Sequence, residues 1–257
     1  MLAAGLKGFT EYEEEYTVLE ALGKGKFGVV YKVEDRSRGI YAAAKHIKTR
    51  TQHDRNRVME EIEILESLKN PFIIQFYQGF ESRKEMIVVT EYLDGGELFD
   101  RVASQEYILT EDQCSSFIRR ICKGLEYLHQ ALIVHLDLKP ENIVCINRSS
   151  TDIKIIDFGL AKKLLPTQEI KVMCGTPEFL APEVLNFDPI SFTTDMWAVG
   201  VITYILVSGL SPFLGDSDHQ TFANIIRNNY TFEDTEFEGI SENAKVGYFK
   251  FKERLRK

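Results

Sequence analysis

Four cysteines in 257 residues, Cys114, Cys122, Cys145 and Cys174, are too few for a disulfide framework, and they form neither a Cys-x-x-Cys pair nor a zinc spacing. A reduced, cytoplasmic setting follows. Long apolar runs are missing as well. The longest, Met196 to Val207, falls well short of the roughly 20 residues that a membrane span needs, so no membrane partner is expected. Positive charge is in deficit: 31 Lys and Arg against 39 Asp and Glu leave a formal charge of −8. That balance argues against a general nucleic-acid binder and suits a basic substrate. Internal repeats and low-complexity segments are absent, which removes solenoids and arrays. The N-terminus has no apolar core that could serve as a signal or transit peptide. Glu11, Glu13, Glu14 and Glu15 instead make residues 1–15 read as an acidic, solvated leader. What is present, 44% hydrophobic residues, suffices to bury a large core in one domain or in two lobes.

The chain is organised around His135-Leu136-Asp137-Leu138-Lys139-Pro140-Glu141-Asn142, read together with Asp157-Phe158-Gly159. These positions supply a carboxylate that can orient a hydroxyl, an ammonium that can neutralise an anion and a carboxamide that can ligate a metal. Phosphoryl transfer asks a protein mainly for such positioning and positive charge. Each piece alone is weak, because polar loops usually just face water. The combination, with Asp157 twenty residues after Asp137, is specific.

Upstream, residues 16–22 and 29–33 alternate and are rich in β-branched and aromatic side chains, which predicts two strands joined by Gly23-Lys24-Gly25-Lys26-Phe27-Gly28. A strand follows these glycines where a dinucleotide-binding fingerprint would require a helix. Residues 41–45 read as a third strand ending at Lys45. A helix is predicted from about Arg55 to Leu68, with Asp54 as N-cap, Val58, Ile62 and Leu65 as its apolar stripe and Pro71 as its stop. Residues 73–80 and 86–92 complete a five-stranded antiparallel sheet. Leu93-Asp94-Gly95-Gly96 then reads as a linker, and Thr110-Glu111-Asp112-Gln113 as a capping box opening a helix to about His129. Cys114, Cys122 and His129 of that helix read as packing residues.

These motifs resemble the protein kinase family. The closest likeness is to myosin light-chain kinases and their giant muscle and death-associated relatives, through His135–Asn142, Gly175-Thr176-Pro177-Glu178-Phe179, Ala181-Pro182-Glu183, Asp188-Pro189-Ile190, Thr194-Asp195-Met196-Trp197 and Gly209-Leu210-Ser211-Pro212-Phe213. The resemblance implies an α+β, two-lobed fold. A small antiparallel β lobe with one helix would span residues 16–92 and a mainly helical large lobe residues 93–245. From 246 the likeness stops, so the large lobe reads as truncated at its C-terminal end, with 246–257 as a divergent basic tail. On that reading the helix around residues 196–207 would be left with an uncovered apolar face.

By the same resemblance the chain is an ATP- and Mg²⁺-dependent serine/threonine kinase. Asp137 orients or deprotonates the acceptor hydroxyl, Lys139 neutralises the γ-phosphate, and Lys139 with Thr176 marks the serine/threonine class. Asn142 and Asp157 hold Mg²⁺. Gly23, Gly25, Gly28, Val30, Ala43 and Lys45 belong to the nucleotide site, with Glu61 holding Lys45, Glu91 and Leu93 on the base, and Thr90 behind it. Glu97 faces ribose or, with Glu141 and Glu178, a basic peptide carrying a Ser or Thr, the myosin light chain being the family's example. Leu136 departs from the pattern, since the arginine usual there pairs with an activation-segment phosphate. Calmodulin is implied by the family alone, because its binding segment is not visible. A cytoskeletal or sarcomeric location is implied in the same way. The alternative is a nucleotide-binding but inactive scaffold.

Overall fold

The acidic N-terminal segment is not the solvated leader that its glutamates suggest. In the computed structural model, Lys7–Gly8 form a short strand, β1, and Phe9–Glu15 a helix, α1. Glu11 caps the helix by accepting from the Gly8 N–H at 2.7 Å, and Glu13 and Glu14 stay exposed. Tyr12 and Tyr16, one helical turn apart, are buried. The segment is thus amphipathic over a single turn, too short for its periodicity to stand out from the charge around it. The structure describes residues 5–25, 28–98, 100, 109–147, 149–231, 237 and 240–242. The expected tail over 246–257 lies outside them, as do Lys26 and Phe27 of the glycine-rich turn.

Two units divide the chain, Met1–Leu93 and Asp94–Lys257. In the first, β2 (Tyr16–Lys24), β3 (Gly28–Asp35), β4 (Ile40–Lys48), β5 (Phe76–Glu81) and β6 (Glu85–Glu91) join β1 in a six-stranded sheet of order β1-β5-β6-β4-β3-β2. The sheet is mixed where five antiparallel strands were expected, because β1 pairs in parallel with β5 and covers an edge that would otherwise present unpaired backbone groups. Along β4 the side chains alternate. Ala42 and Ala44 enter an apolar cluster with Tyr12, Tyr16, Val33, Phe80 and Ile87, which puts Ala43 and Lys45 on the opposite face.

Helix α2 runs from Gln52 to Ser67, with Val58, Ile62 and Leu65 buried. Its N-cap is Thr51, three residues before the expected Asp54. Thr51 Oγ1 accepts from the Asp54 N–H at 3.1 Å, while the Asp54 carboxylate accepts from the Thr51 N–H at 2.9 Å. Asp54 is therefore the reciprocal partner of a capping box, a role sequence alone does not separate from that of the cap.

In the second unit α3 (Glu111–Gln130) opens on the expected capping box, Thr110 with Gln113, and buries Cys114, Phe117, Ile121, Leu125 and Leu128. Short strands β7 (Ile133–Val134), β8 (Ile143–Cys145), β9 (Ile153–Ile155) and β10 (Lys162–Lys163) form two small ladders, β7 with β10 and β8 with β9. Helices α4 (Pro182–Leu185), α5 (Phe192–Ser208) and α6 (Asp218–Arg227) follow. Apolar on every side, α5 is buried over most of its length, as such a helix must be. The uncovered face expected over 196–207 is not found. Trp197, Val201 and Ile205 pack in a core with Phe213 and Ile225, and Tyr204 packs with Phe237. Cys114 and Cys122 are free thiols, and among the described residues no helix is long and apolar enough to cross a membrane. Cys114 does pack as expected: its thiol donates to the Leu206 carbonyl at 3.2 Å, and burial pushes its pKa up to about 11.

Candidate active site

Each unit carries its own set of polar side chains. In the first, Lys45 Nζ lies 2.9 Å from Glu61 Oε1, with the lysine side chain 19% and the glutamate side chain 7% exposed. Lys45 sits mid-strand, paired to Val30 on β3 and Val88 on β6, so the sheet fixes its stem. Glu61 projects from the middle of α2, beside Ile62. A pair this shielded is felt far more strongly than a surface pair, and removing one partner would strand a buried charge.

The three glycines of the turn differ in their surroundings. A Cβ on Gly23 or Gly25 would meet nothing within 4 Å, so the backbone there is open to an approaching group. A Cβ on Gly28 would lie 2.0 Å from the His46 carbonyl oxygen. Gly28 is thus required by the close approach of β4. Ala43 pairs with Thr90 across β4 and β6, and the Thr90 hydroxyl is 3.3 Å from the Glu91 carbonyl. The Glu91 side chain accepts from the Gln75 N–H at 2.7 Å, and its own N–H donates to the Gln75 carbonyl at 2.9 Å. Leu93 ends the first unit.

In the second unit the loop between β7 and β8 converges on Asp137. Its Oδ1 accepts from the Thr176 hydroxyl at 2.9 Å, and its Oδ2 accepts from Asn142 Nδ2 at 3.2 Å and lies 3.6 Å from Lys139 Nζ. Lys139 in turn donates to Thr176 Oγ1 at 3.1 Å. Four side chains spread over forty residues of sequence therefore share one hydrogen-bonded cluster around a carboxylate. The Asn142 amide nitrogen also donates to the Asp137 carbonyl at 2.8 Å, which leaves its oxygen as the end able to ligate a cation. Asp157 adopts a left-handed backbone, φ 59°, and its carboxylate accepts from the Gly159 N–H at 3.4 Å.

Glu97 bridges to Val144 in the same unit and is exposed. Partial desolvation, then the Asp100 and Glu141 carboxylates, raise its pKa above the ordinary range, while Lys139 pulls the other way. The structure so groups Glu97 with Glu141 and adds Asp100. Glu178, on the turn Pro177–Phe179, is not among the charges acting on Glu97.

The profile of the protein kinase domain family matches residues 16–247. The chain belongs to the protein kinase family. Myosin light chain kinase family member 4 of Homo sapiens is 53% identical over 232 residues, which is 90% of this chain and 60% of that protein. Myosin light chain kinase 3 of Danio rerio is 52% identical over 227 residues, 88% of this chain and 32% of that one. This kinase chain thus spans between about a third and three-fifths of the length of these relatives. Among solved structures, the twitchin kinase region of C. elegans matches 97% of the chain and 44% of its own at 41% identity and a TM-score of 0.89. Titin kinase with its flanking domains matches 97% and 45%, at 34% identity and 0.87.

Three residues of the second unit matter more than their sequence context suggests. Asp195, 1% exposed on α5, accepts from the His135 N–H and from His129 Nε2 on Oδ2 and from the Leu136 N–H on Oδ1, each at 2.9 Å. It thereby holds the backbone directly before Asp137. His129, read as packing, is a hydrogen-bond donor in this arrangement, and its ring also lies 4.9 Å from that of Phe192. The one signal for the pair was an acid inside an otherwise apolar helix, since buried carboxylates need partners. Leu136, held at φ 68°, is buried in the apolar core with Leu180 and Val184, against which Leu164, Ile170 and Val172 pack.

Proposed function

We propose that this chain is a serine/threonine protein kinase of the myosin light-chain kinase type, transferring the γ-phosphoryl group of ATP to a protein hydroxyl. The observation that carries the reading is the cluster on Asp137. A carboxylate held by Thr176 and Asn142 is positioned to orient an acceptor hydroxyl or take its proton, and Lys139 places an ammonium beside it for the negative charge of a phosphoryl group. The paired Lys45 is the corresponding anion partner on the first unit, and the open backbone at Gly23 and Gly25 fits close approach of phosphate oxygens.

The donor set also fits Mg²⁺. Among the described residues no group of three or more His, Cys, Asp and Glu could hold a metal ion by itself. Mg²⁺ does not require one, because it is ordinarily bound through one or two carboxylates together with substrate phosphates and water. Asp157 and the Asn142 amide oxygen would hold it, and the ion would supply charge neutralisation on the phosphates. The backbone of Glu91 and Leu93 would take adenine, with Val30, Ala43 and Thr90 about it.

Glu97, Asp100 and Glu141 favour a substrate with a basic side chain near its Ser or Thr, and the relatives' names make a myosin light chain the first protein to try. We infer a cytoplasmic and muscle-associated setting on the same likeness. The test is transfer of radiolabelled phosphate from ATP to a basic serine peptide, beside an acidic one. Transfer to the basic peptide that vanishes without Mg²⁺ is expected. Binding of Mg-ATP with no transfer to any hydroxyl peptide would replace the reading with that of an inactive nucleotide-binding scaffold.

A further inference from the structure

Residues 5–15 reach both faces of the sheet in the first unit. β1 lies beside β5, and on β5 the neighbours Gly79 and Phe80 point to opposite faces. On Gly79's face Leu6 fills the space that the missing side chain leaves. A Cβ on Gly79 would come within 2.5 Å of Leu6 Cδ2 and 3.1 Å of Ile62 Cδ1, so Leu6 is seated against α2. On Phe80's face Tyr12, 2% exposed, stacks on Tyr16 at 5.6 Å, meets Phe80 edge-on at 5.3 Å and shares a 3.0 Å hydrogen bond with His46. Gln78 Nε2 donates to the Gly5 carbonyl at 2.8 Å, and the Lys7–Glu15 ion pair, at 2.5 Å, ties the start of the segment to its end. The two anchor points are telling. Ile62 follows Glu61 on α2, and His46 follows Lys45 on β4.

We propose that residues 5–15 are a positioning strap: Leu6 in the slot between Gly79 and Ile62, and Tyr12 against Phe80 and His46, hold α2 on the sheet in the place where Glu61 reaches Lys45. Leu6 and Tyr12 act through that ion pair and touch no reacting group. For its effect on catalysis the proposal rests on the kinase reading above.

Leu6→Ala and Gly79→Ala, made separately in the full chain, test it, because one empties the slot and the other fills it with a methyl group. Hydrogen exchange of the amides over residues 58–65 reads the position of α2 without reference to activity. About tenfold faster exchange is expected in both variants, from local opening of α2, with near wild-type rates for Leu6→Met. The same two variants should lower kcat about tenfold, by misplacing Glu61 and hence Lys45. In a Glu61→Gln background they should cost little more, since residues acting through one pair are not additive. Unchanged exchange over 58–65 overturns the strap. So does a kcat loss of the same size with and without Glu61, which a general structural defect would produce. A wild-type chain that shows the exchange difference but transfers no phosphate refutes the kinase reading and leaves the strap standing.

Discussion

Replacing Asp195 by asparagine changes one oxygen to an NH₂ at a site where three N–H groups point at a carboxylate, all at 2.9 Å and out of water. Turned either way, the amide sets its NH₂ against at least one donor. A buried donor left unsatisfied costs about 1–3 kcal/mol. The bonds that remain also lose the help of a full charge, about 1 kcal/mol each, offset in part by no longer burying that charge. A net loss of about 3 kcal/mol follows, and since 1 kcal/mol moves Tm by roughly 2–4 °C in a unit of this size, thermal unfolding should fall by about 6–12 °C.

The same change loosens Leu136, whose left-handed backbone at φ 68° is held by one of these bonds and whose relaxation would carry Asp137 with it. Displacing a reacting group by about 1 Å costs on the order of 10²-fold in rate, so kcat should drop by about that factor while Mg-ATP still binds. Thermal unfolding, a nucleotide titration and peptide phosphorylation on the one variant measure all three. A Tm within about 2 °C of wild type and a kcat within about twofold would refute the argument that Asp195 holds the loop.

Asp137→Ala should lower kcat by roughly 10²–10⁴ with Mg-ATP binding nearly intact, whereas Asp157→Ala should lose that binding; full kcat without Asp137 would remove its assigned role. Thr167 lies in the activation segment, the stretch between Asp157-Phe158-Gly159 and Ala181-Pro182-Glu183; Thr167→Ala should leave activity unchanged, because Leu136 occupies the place of a phosphate-binding arginine and apolar packing of Ile170, Val172 and Leu180 anchors that segment. Tenfold activation on phosphorylating Thr167 is the contrary result. Glu97 has a raised pKa, so as pH falls through that raised value it becomes neutral and the preference for a basic peptide should fade, at a higher pH than an ordinary carboxylate would allow. In Glu97→Gln the kcat/KM ratio of basic to neutral peptide should lose that pH dependence. Gly28→Ala forces a methyl group to 2.0 Å from the His46 carbonyl, which should cost about 3 kcal/mol on thermal unfolding and raise the KM for ATP; an unchanged Tm would show that β3 and β4 separate freely.

What the sequence determined by itself was whatever depends on near neighbours. Residues 16–22, 29–33 and 41–45 were readable as three strands, Thr110 and Gln113 cap a helix three positions apart, and Val58, Ile62 and Leu65 mark its counterpart's buried face. The kinase motifs were legible for the same reason, since their residues lie a few positions apart. Only the tertiary structure decided the rest, because it depends on groups far apart in the chain. Tyr12 is buried by strands thirty and seventy residues away, so no local pattern could tell it from the solvated glutamates beside it. Asp195 meets a histidine sixty-six positions earlier and two backbone groups about sixty earlier, and backbone groups leave no trace in sequence. Helix α5 looked exposed because its cover comes from Phe213, Ile225 and Phe237, which only the fold brings to it. Even Leu136, readable as a missing charge, became an anchor of the activation segment only when Leu180 and Val184 packed around it, since apolar burial is a property of what surrounds a side chain.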